Sequence, residues 1–263
     1  MLKNRLIPCL FLKNGLIVRS EKFEYHQYLG NPIHQVERYN SWCVDELIYI
    51  DISPEEKYDL RRDDMKVKNV PNLLDIITEV SKKCFMPLTF GGRIRTIEDI
   101  RERTKRGADK VTINTMALES PSFITKSSEI FGSQCIVVSI DVKKGDDGSY
   151  EVYSHGGKKA TGKGPVEWAM KVEDLGAGEV FLNSIDRDGI GEGYDTDLVR
   201  SVAEVISIPL IACGGAGDYE DFVTVINEGK ADAAAAGNIF NFKEHSTMLA
   251  KKHMHNRGMN VRI

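Results

Sequence analysis

Short apolar runs alternate with amphipathic segments of helical length along most of the chain. Several of these runs are continuously apolar, which is typical of parallel strands that are covered on both faces. The predicted strands are 6–12, 46–52, 87–90, 110–113, 136–142, 179–183, 209–213 and 231–236, and the clearest helical segments are 72–84, 96–106, 121–131, 165–175 and 195–205. Eight strands that alternate with helices predict an α/β fold in which the parallel sheet closes into a single (β/α)8 TIM barrel.

An internal repeat divides this pattern into two halves. The matching pairs are 7–15 with 137–145, 46–51 with the segment from Glu179, Gly91-Gly92 with Gly214-Gly215, and 107–109 with 230–232. The matches occur in the same order in both halves. We therefore expect a barrel built from two similar half-barrels.

Length and composition favour one domain over residues 1–263. The chain is 41% hydrophobic and 28% charged, no linker divides it, and a barrel of this kind occupies about 250 residues. The net charge of −4 gives no electrostatic reason to expect a nucleic-acid partner. No apolar run reaches the roughly 18 residues that a membrane span needs, and the N-terminus carries no leader pattern. We expect a cytoplasmic protein without a membrane partner.

The cysteines and histidines do not form a metal-binding pattern. The five cysteines are scattered without a CxxC pair, which favours free thiols in a reducing compartment over a structural zinc site. The six histidines show no ligand spacing beyond His253 and His255 near the chain end. We therefore expect neither a metal nor a cofactor.

Glycine pairs after two of the predicted strands are candidates for phosphate binding. In such a barrel the loops that follow the strands form the active face, and paired glycines there let backbone N–H groups approach a phosphate. The first candidate cradle comprises Gly91, Gly92, Asn114 and Thr115, and the second comprises Gly214, Gly215, Gly217, Gly237 and Asn238. Tight turns between a strand and a helix also use glycine for geometry alone. Two symmetric cradles favour a ligand with phosphates or other anionic groups at opposite ends.

Four carboxylates lie near the predicted active rim, namely Asp51, Asp141, Asp186 and Asp188. Asp141 ends an apolar strand, where a carboxylate can act as a general acid or base once its neighbours adjust its pKa. A helix N-cap or a partner for Lys143 is the structural alternative. The position symmetric to Asp141 is Phe11, so one half presents an acid and the other an apolar ring.

Four charged residues, Arg5, Glu46, Lys110 and Glu179, fall at the starts of predicted strands. They would meet around the barrel axis at its N-terminal face and neutralise one another as two acids and two bases. From the residues alone, an ion-pair plug that seals the barrel bottom is favoured over a functional ring, because that face usually serves stability.

Several segments together resemble the cyclase subunit of imidazole glycerol phosphate synthase. The segments are 6–10, 45–47, 107–111, the Ser-Ile-Asp-Arg-Asp-Gly motif at 184–189, 193–195, 214–217 and 260–262, so that the resemblance runs from Met1 to Arg262. In that family the barrel docks a glutaminase on its N-terminal face, and ammonia passes through a charged ring to the active face. The resemblance implies that the four charged residues form an ammonia gate, which replaces the interpretation as a plug. It also implies that Asp109 belongs to the docking surface.

The resemblance implies a heterodimer with a glutaminase subunit, a class I glutamine amidotransferase, and a set of substrate contacts at the active face. Besides the cradle residues, these contacts are Arg19, Asp51, Arg93, Asn183, Asp186, Asp188, Gly189 and Cys213.

The sequence also departs from the family. The family uses two aspartates as general acid and base, whereas this chain keeps the second as Asp141 and has Phe11 in place of the first, a loss that should cost about a hundredfold or more in rate. Arg93 replaces the third glycine of the first phosphate loop, where it can obstruct the backbone cradle or supply a bidentate guanidinium. Cys213 stands where the second phosphate strand usually ends in serine. The loop 53–72 is longer than the family requires.

These departures point to a paralogous branch. The resemblance is closest to barrel proteins of surface-polysaccharide gene clusters, which work with a glutaminase and a separate ATP-dependent sugar amidotransferase to turn an N-acetyl sugar into an acetamidino sugar. An intact gate beside a broken acid/base pair predicts that this barrel delivers ammonia to the amidation of a nucleotide sugar.

Three alternatives stay open. The first is a working cyclase of histidine biosynthesis that uses Asp141 with Asp51 or a water. The second is a non-catalytic subunit that activates its glutaminase, which the retained Asn114, Asp141, Asp186 and Gly215 disfavour. The third is an unrelated barrel isomerase, which would have no use for the gate.

Overall fold

The computed structural model describes residues 3–54, 57–59 and 70–263, so most of the long loop predicted at 53–72 lies outside the described residues. The strands are β1 Arg5–Lys13, β2 Leu16–Glu21, β3 Tyr25–Gly30, β4 Leu47–Asp51, β5 Leu88–Gly91, β6 Lys110–Ile113, β7 Ile136–Lys144, β8 Tyr150–Ser154, β9 Lys159–Ala160, β10 Glu179–Ser184, β11 Leu210–Cys213 and β12 Ala233–Ala236. The helices are α1 Pro32–Ser41, α2 Leu73–Ser81, α3 Ile97–Lys105, α4 Thr115–Glu119, α5 Ser122–Phe131, α6 Pro165–Asp174, α7 Thr196–Ala203, α8 Glu220–Asn227 and α9 Ser246–Asn256. Within these ranges no helix has the length and apolar character needed to cross a membrane.

Eight parallel strands close into a barrel. Around the ring their order is β1, β4, β5, β6, β7, β10, β11 and β12, and β1 pairs with both β4 and β12. The ring is complete because β10 pairs with both β7 and β11. Each predicted strand lies within two residues of an observed one. The predicted (β/α)8 barrel is therefore confirmed.

The two halves of the barrel share local geometry as well as strand order. β1 and β7 are each nine residues long and continue beyond the barrel into antiparallel hairpins, formed with β2–β3 and with β8–β9. After β6 and β12 the backbone makes the same turn, at Asn114 with φ −114° and ψ −82° and at Gly237 with φ −107° and ψ −73°. The repeat seen in the sequence is thus a repeat of structure.

Side chains of the barrel strands alternate between the barrel axis and the surrounding helices. On β1, Ile7, Cys9 and Phe11 belong to the apolar cluster inside the barrel, whereas Leu6 and Leu10 pack in the larger core beneath the helices. Burying an aliphatic side chain of this size contributes about 1.5–3 kcal/mol. The same alternation turns every second residue of each strand toward one axis, which is where the candidate site lies.

Three aspartates at the N-terminal face bind the backbone of a neighbouring strand. The pairs are Asp45 with the Leu6 N–H at 2.9 Å, Asp109 with the Leu88 N–H at 2.8 Å, and Asp232 with the Leu210 N–H at 2.9 Å. Asp109, which the resemblance places at a docking surface, therefore has a structural role that it shares with Asp232. Its residue is exposed on this face.

The last helix is fastened to the first strands. The buried ammonium of Lys251, on α9, lies 2.6 Å from the Asp45 carboxylate and 2.7 Å from the carbonyl oxygen of Cys43. Asn4 forms a β-bridge with Val261. These contacts join the beginning and the end of the barrel.

Candidate active site

The four charged residues at the strand starts form a closed ring around the barrel axis. Arg5 contacts the carboxylates of Glu46 and Glu179 at 2.6 Å each, and Lys110 contacts the same two carboxylates at 3.0 Å each. Burial opposes the charged form of Glu46, but Arg5 and Lys110 hold the pKa of its carboxyl below the ordinary value. Each acid thus has two cationic partners, and the structure brings together all four residues that the sequence placed at this face.

An apolar layer follows the ring along the barrel axis. It consists of Ile7, Ile48, Val137, Phe181 and Ile211, each at most 1% exposed. A charged species that left the ring would lose its hydration in this layer, whereas a small neutral molecule would not lose a charge interaction. The layer therefore favours small neutral molecules over charged ones.

Two polar side-chain atoms inside the barrel lack a hydrogen-bond partner among the described residues. They are Oγ1 of Thr112 and Oδ1 of Asn183, in residues that are 5% and 1% exposed. Thr112 comes two residues after Lys110 on β6 and Asn183 four residues after Glu179 on β10, so strand alternation turns both toward the axis. An unpaired buried polar group costs about 1–3 kcal/mol. A small hydrogen-bonding guest would offset that cost at both places.

Asp141 lies on the inner wall near the carboxyl end of β7. Its Oδ1 accepts a hydrogen bond from Ser139 Oγ at 2.9 Å, and Asn183 is its neighbour in the register of β7 with β10. Burial raises the pKa of Asp141 to about 7, against the Ser139 hydrogen bond and with a further contribution from Asp188. A carboxyl with this pKa can give or accept a proton near neutral pH.

The structural alternatives for Asp141 do not hold. β7 continues past it to Lys144, so Asp141 does not cap a helix. The ammonium of Lys143 lies over the ring of Tyr153, 4.9 Å from the ring centre. Asp141 is therefore neither a helix cap nor the partner of Lys143.

Phe11 takes the place on β1 that Asp141 takes on β7. It is 8% exposed and packs edge-on against Phe23, which comes from the turn between β2 and β3. Phe23 has φ +60°, and its N–H lies 3.3 Å from the Asp188 carboxylate, which accepts the hydrogen bond. A non-glycine residue in this region costs about 1–2 kcal/mol. This wall of the mouth is apolar and held in place by the hairpin.

The two aspartates of the Ser-Ile-Asp-Arg-Asp-Gly motif point to different places. Asp188 is buried and accepts a hydrogen bond from Ser20 Oγ at 2.6 Å, and burial raises its pKa despite this bond. Asp186 is exposed and accepts the Lys144 N–H at 2.7 Å. Asp188 therefore faces the candidate site, whereas Asp186 supports the β7–β8 hairpin.

A cavity of about 340 Å³ opens at the second glycine cradle. Its lining comprises Gly189, Gly191, Gly214, Gly215, Ala216, Gly217, Ala236, Gly237 and Asn238 on the cradle side, and Cys9, Phe11, Asp188, Cys213, Ile239 and Phe242 on the others. A Cβ on Gly215, which has φ +117°, would lie 2.1 Å from the Gly193 carbonyl oxygen. Glycine is thus required at this place, and bare backbone faces the cavity.

Two thiols form part of the cavity wall. A hydrogen bond with Cys9, together with burial, holds the pKa of Cys213 well above the ordinary value. Cys213 is the register neighbour of Ala235 on β12, whose small side chain leaves room between the two cysteines. Cys213, expected to contact substrate, is therefore a neutral thiol at the cradle.

The structural alignment of the two cradles differs by one residue from the alignment that the sequence repeat indicates. β5 ends at Gly91 and β11 ends at Cys213, so Gly92 corresponds to Gly214. Arg93 then corresponds to Gly215, and all four turn residues have positive φ: +96° at Gly92, +56° at Arg93, +92° at Gly214 and +117° at Gly215. The pairing of Gly91-Gly92 with Gly214-Gly215 is therefore wrong by one residue.

The physical reason lies at Gly91. A Cβ there would come within 2.3 Å of the Thr112 side chain. Gly91 is thus a glycine because β5 packs closely against the β6 side chain, and the turn that forms the cradle starts one residue later.

The side chain of Arg93 lies within the first cradle. Its guanidinium donates to the Ser53 carbonyl oxygen, and its Nε lies 3.6 Å from Oδ2 of Asp51. Asp51 is buried and accepts hydrogen bonds from the Ser53 N–H, the Ser53 hydroxyl and the Tyr58 hydroxyl. Burial raises the pKa of Asp51, with Ser53 and Arg93 acting in the opposite direction. Two predicted substrate contacts are therefore partners of each other.

Three further predicted contacts support the hairpins. The Asn114 amide donates to the Ser139 and Tyr153 carbonyl oxygens, and the Thr115 hydroxyl accepts the His155 N–H. These bonds hold the β8–β9 segment on the barrel. Arg19, on β2, lies 3.6 Å from Glu21 and does not line the cavity, whereas Asn238 lines it and donates to the Ser20 carbonyl oxygen.

Sequence reasoning missed some residues that shape the site. Ser139 lies two residues before Asp141, a spacing that puts both on one face of a strand, so the signal was present. Ser20 and Tyr58 reach Asp188 and Asp51 from distant segments, and no sequence spacing indicates those contacts. Among the described residues, no group of three or more histidine, cysteine or acidic side chains is arranged to hold a metal ion.

The fold, the charged ring and the carboxyl-face cavity define a (β/α)8-barrel protein with a candidate phosphate site and a buried carboxyl whose pKa is raised. The family model described as "Histidine biosynthesis protein" matches residues 5–246, and the chain belongs to this family. The imidazole glycerol phosphate synthase subunit HisF of Alkaliphilus metalliredigens (strain QYMF) is 42% identical over 264 residues, which cover the whole of both chains. The resemblance seen in the motifs is thus confirmed at the level of the HisF type.

Proposed function

We propose that this chain is the ammonia-accepting synthase subunit of a glutamine amidotransferase complex, and that a glutaminase subunit docks on its N-terminal face in a heterodimer. The observation that carries the proposal is the closed ring of Arg5, Glu46, Lys110 and Glu179 beneath an apolar layer. Above the ring, the barrel interior holds Thr112 Oγ1 and Asn183 Oδ1, which have no hydrogen-bond partner among the described residues. We propose that residues 1–263 form one domain, and that exposed Asp109 takes part in docking beside its strand contact.

The path that we propose for ammonia follows the inner wall. Ammonia enters between Lys110 and the ring acids, hydrogen-bonds to Thr112 Oγ1, and then to Asn183 Oδ1. Asn183 is the register neighbour of Asp141, so the last step places ammonia beside that carboxyl. The apolar layer favours the neutral form, because ammonium would be desolvated there.

Asp141 would complete the transfer. With a pKa raised to about 7 by burial, its carboxylate form can hold ammonia by a hydrogen bond and can exchange a proton at the mouth before ammonia passes to the acceptor on the partner enzyme. Phe11 can do neither, so the mouth has one proton-transfer group where the resembling family uses two. This favours an acceptor reaction other than the two-aspartate cyclisation.

For the acceptor we propose the N-acetyl group of a nucleotide sugar, on an ATP-dependent sugar amidotransferase that takes ammonia from this barrel. On that enzyme the amide oxygen would leave with the phosphoryl or adenylyl group of ATP. Ammonia would form the new C–N bond, and the product would be an acetamidino sugar. The support for this step is the resemblance of the motifs, together with Phe11.

A second candidate is the cyclase reaction of histidine biosynthesis. It is favoured by the full-length similarity to a HisF subunit and by the raised pKa of Asp141, which suits a general acid. Asp51 is a carboxyl that could assist, but it contacts Ser53, Tyr58 and Arg93. The two candidates differ in whether the chain alone turns over the bisphosphate of the histidine pathway.

The test is an ammonium-dependent cyclase assay on the purified chain, with that bisphosphate and a high concentration of ammonium salt. We expect no turnover by the unmodified chain and partial recovery in Phe11→Asp. Phe23→Asp is the matched control, since it places the same acid on the partner ring and should recover nothing. Turnover at an ordinary enzyme rate by the unmodified chain would establish the second candidate instead.

The delivery of ammonia has its own test. The chain would be combined with a glutaminase subunit and with the ATP-dependent enzyme, and amidation would be followed with glutamine or with ammonium as the nitrogen source. Lys110→Met should reduce glutamine-dependent amidation while ammonium-dependent amidation persists. Equal loss of both activities would contradict a path through the ring.

A further inference from the structure

We infer that this barrel holds one phosphorylated end of its ligand, in the cavity at the second cradle, and that Arg93 closes the first cradle to phosphate. The inference rests on the proposed function in one respect, namely that a ligand binds at the active face. It names the class of that ligand: a molecule anchored by a phosphate at one end, with its other end free.

The second cradle is open because its turn consists of glycine. Gly214 and Gly215 adopt positive φ, and their backbone lines the cavity together with Gly237 and Asn238. A residue with a side chain does not fit at position 215, since a Cβ there would overlap the Gly193 carbonyl oxygen. Backbone N–H groups in such turns are common phosphate ligands.

The first cradle has the same turn but a different occupant. Arg93 has the place of Gly215, with φ +56°, a conformation that glycine adopts without cost. Its side chain extends back over the turn to the Ser53 carbonyl oxygen and the Asp51 carboxylate. The volume that is cavity in the second half is thus covered by a guanidinium in the first.

The positive charge of the Arg93 guanidinium already has a negatively charged partner in Asp51. Asp51 is buried beside it, and Tyr58 and Ser53 donate hydrogen bonds to the same carboxylate. A phosphate that entered would have to displace the Asp51 carboxylate from Arg93, because the guanidinium already faces it. The Asp51–Arg93 contact therefore works against an anion here.

The turn of the first cradle is also held in place by a side chain of α3. Arg103, on α3, is buried and donates to the Gly92 carbonyl oxygen at 2.8 Å and to the Asp99 carbonyl oxygen at 2.8 Å. A rearrangement that opened the first cradle would have to move Arg93 within a turn that Arg103 holds. The two halves of one repeat have therefore diverged into an open and a closed cradle.

The experiment compares ligands that differ only in their second phosphate. Binding of a series of α,ω-alkanediol bisphosphates and of the monophosphates of equal chain length would be measured by titration calorimetry. A ligand that engages two cradles gains strongly from the second contact, because that contact is intramolecular. With one open cradle, we expect each bisphosphate to bind within about twofold of its monophosphate, the statistical factor for two equivalent ends.

Two pairs of variants test whether Arg93 closes the first cradle and whether the second cradle binds phosphate. Arg93→Gly suits the backbone of the turn and should give the bisphosphate of matching length at least about a tenfold advantage, whereas Arg95→Gly, an exposed arginine of the same loop, should leave the ratio unchanged. Ala216→Glu adds a negative charge at the cavity and should weaken all these ligands about tenfold or more. Ala160→Glu adds the same charge on the exposed strand β9 and should change little.

Three results would overturn the inference. A bisphosphate preference of tenfold or more in the unmodified chain would show two working cradles. A ratio unchanged in Arg93→Gly would remove Arg93 as the cause of closure. Absence of monophosphate binding, or binding unaffected by Ala216→Glu, would remove the second cradle as the phosphate site. None of these measurements uses ammonia or a partner, so the inference can fail while the proposed function stands.

Discussion

Phe11 and Phe23 pack edge to face, with ring centroids 6.1 Å apart and ring planes inclined by 70°. The first ring comes from β1 and the second from the β2–β3 turn, so the pair fastens this hairpin to the barrel mouth. At the equivalent place of the other half, β7 carries Asp141. One repeat position thus carries a packed aromatic ring in the first half and a buried carboxyl with a raised pKa in the second.

Truncation of this ring should destabilise the protein. Phe11→Ala removes a largely buried ring and its contact with Phe23, and we expect the free energy of unfolding to fall by about 3 kcal/mol. Urea denaturation followed by circular dichroism measures the change. Phe85→Ala is the matched control, because Phe85 is 91% exposed, and its effect should stay within about 0.5 kcal/mol. Equal effects of the two changes would show that the ring pair does not support the mouth.

The stability of the protein should depend on pH through Asp141. Its pKa is about 7 in the folded protein and 3.8 ordinarily, so the folded state binds the extra proton between these values. Stability from this group is therefore full below pH 4 and falls as the pH rises to about 7. Asp141→Asn removes the cost of burying the charge and should be more stable than the unmodified chain by about 2–4 kcal/mol at pH 8. The gain should vanish toward pH 4.

Urea denaturation at several pH values, on variant and unmodified chain in parallel, measures this difference. Asp147→Asn is the control, since Asp147 is exposed and hydrogen bonds from Ser149 lower its pKa. It should give no gain at pH 8. A gain in Asp141→Asn that did not change with pH would mean that the carboxyl is not protonated in the folded protein.

The contribution of the charged ring to stability should depend on the balance between its cations and its acids more than on any one side chain. Lys110→Met leaves Glu46 and Glu179 with Arg5 alone, and we expect a loss of about 3 kcal/mol in the free energy of unfolding. Lys110→Met combined with Glu46→Gln restores one cation to one acid and should recover at least half of that loss. A double-mutant cycle gives the coupling energy.

A matched cycle on the exposed pair Lys230–Glu204, 2.7 Å apart on the surface, is the control for this prediction. Its coupling should be at most about 1 kcal/mol. Similar coupling energies in the two cycles would indicate that the ring is as hydrated as the surface pair.

One thiol should react faster than the other four. Cys43 is exposed, Cys9, Cys135 and Cys213 are buried, and burial raises the pKa of Cys84. Because the thiolate is the reactive form, we expect one rapid equivalent with Ellman's reagent in the native chain and the rest after urea is added. Cys43→Ser should remove the rapid phase. A rapid phase that persists in this variant would place an accessible thiolate elsewhere, first of all at Cys84.

Much of the fold could be predicted because it depends on local pattern. Continuous apolar runs predicted the barrel strands, and the repeat of 7–15 in 137–145 matched β1 with β7, the two strands that the structure shows extending into hairpins. The four charged residues could be assigned to one ring since each begins a strand. These inferences need only alternation along a strand and the closure of the sheet.

The parts that could not be predicted depend on contacts between distant segments. The one-residue shift in the alignment of the two cradles arises from the packing of Gly91 against Thr112, which a comparison of amino-acid sequences cannot detect. Whether Arg93 is free to bind an anion depends on Asp51 and Tyr58 being its neighbours, and their spacing gives no sign of it. The raised pKa of Asp141 likewise follows from burial by residues of several strands.

The joining of α9 and Val261 to the first strands also has a consequence for biosynthesis. A ribosome delivers β1 long before β12, yet these two strands are neighbours in the finished ring. Until β12 emerges, the nascent sheet keeps two open edges, and open edges invite pairing with other chains. We therefore expect a chain cut short before residue 233 to keep both edges open and to associate with other chains more readily than the closed barrel.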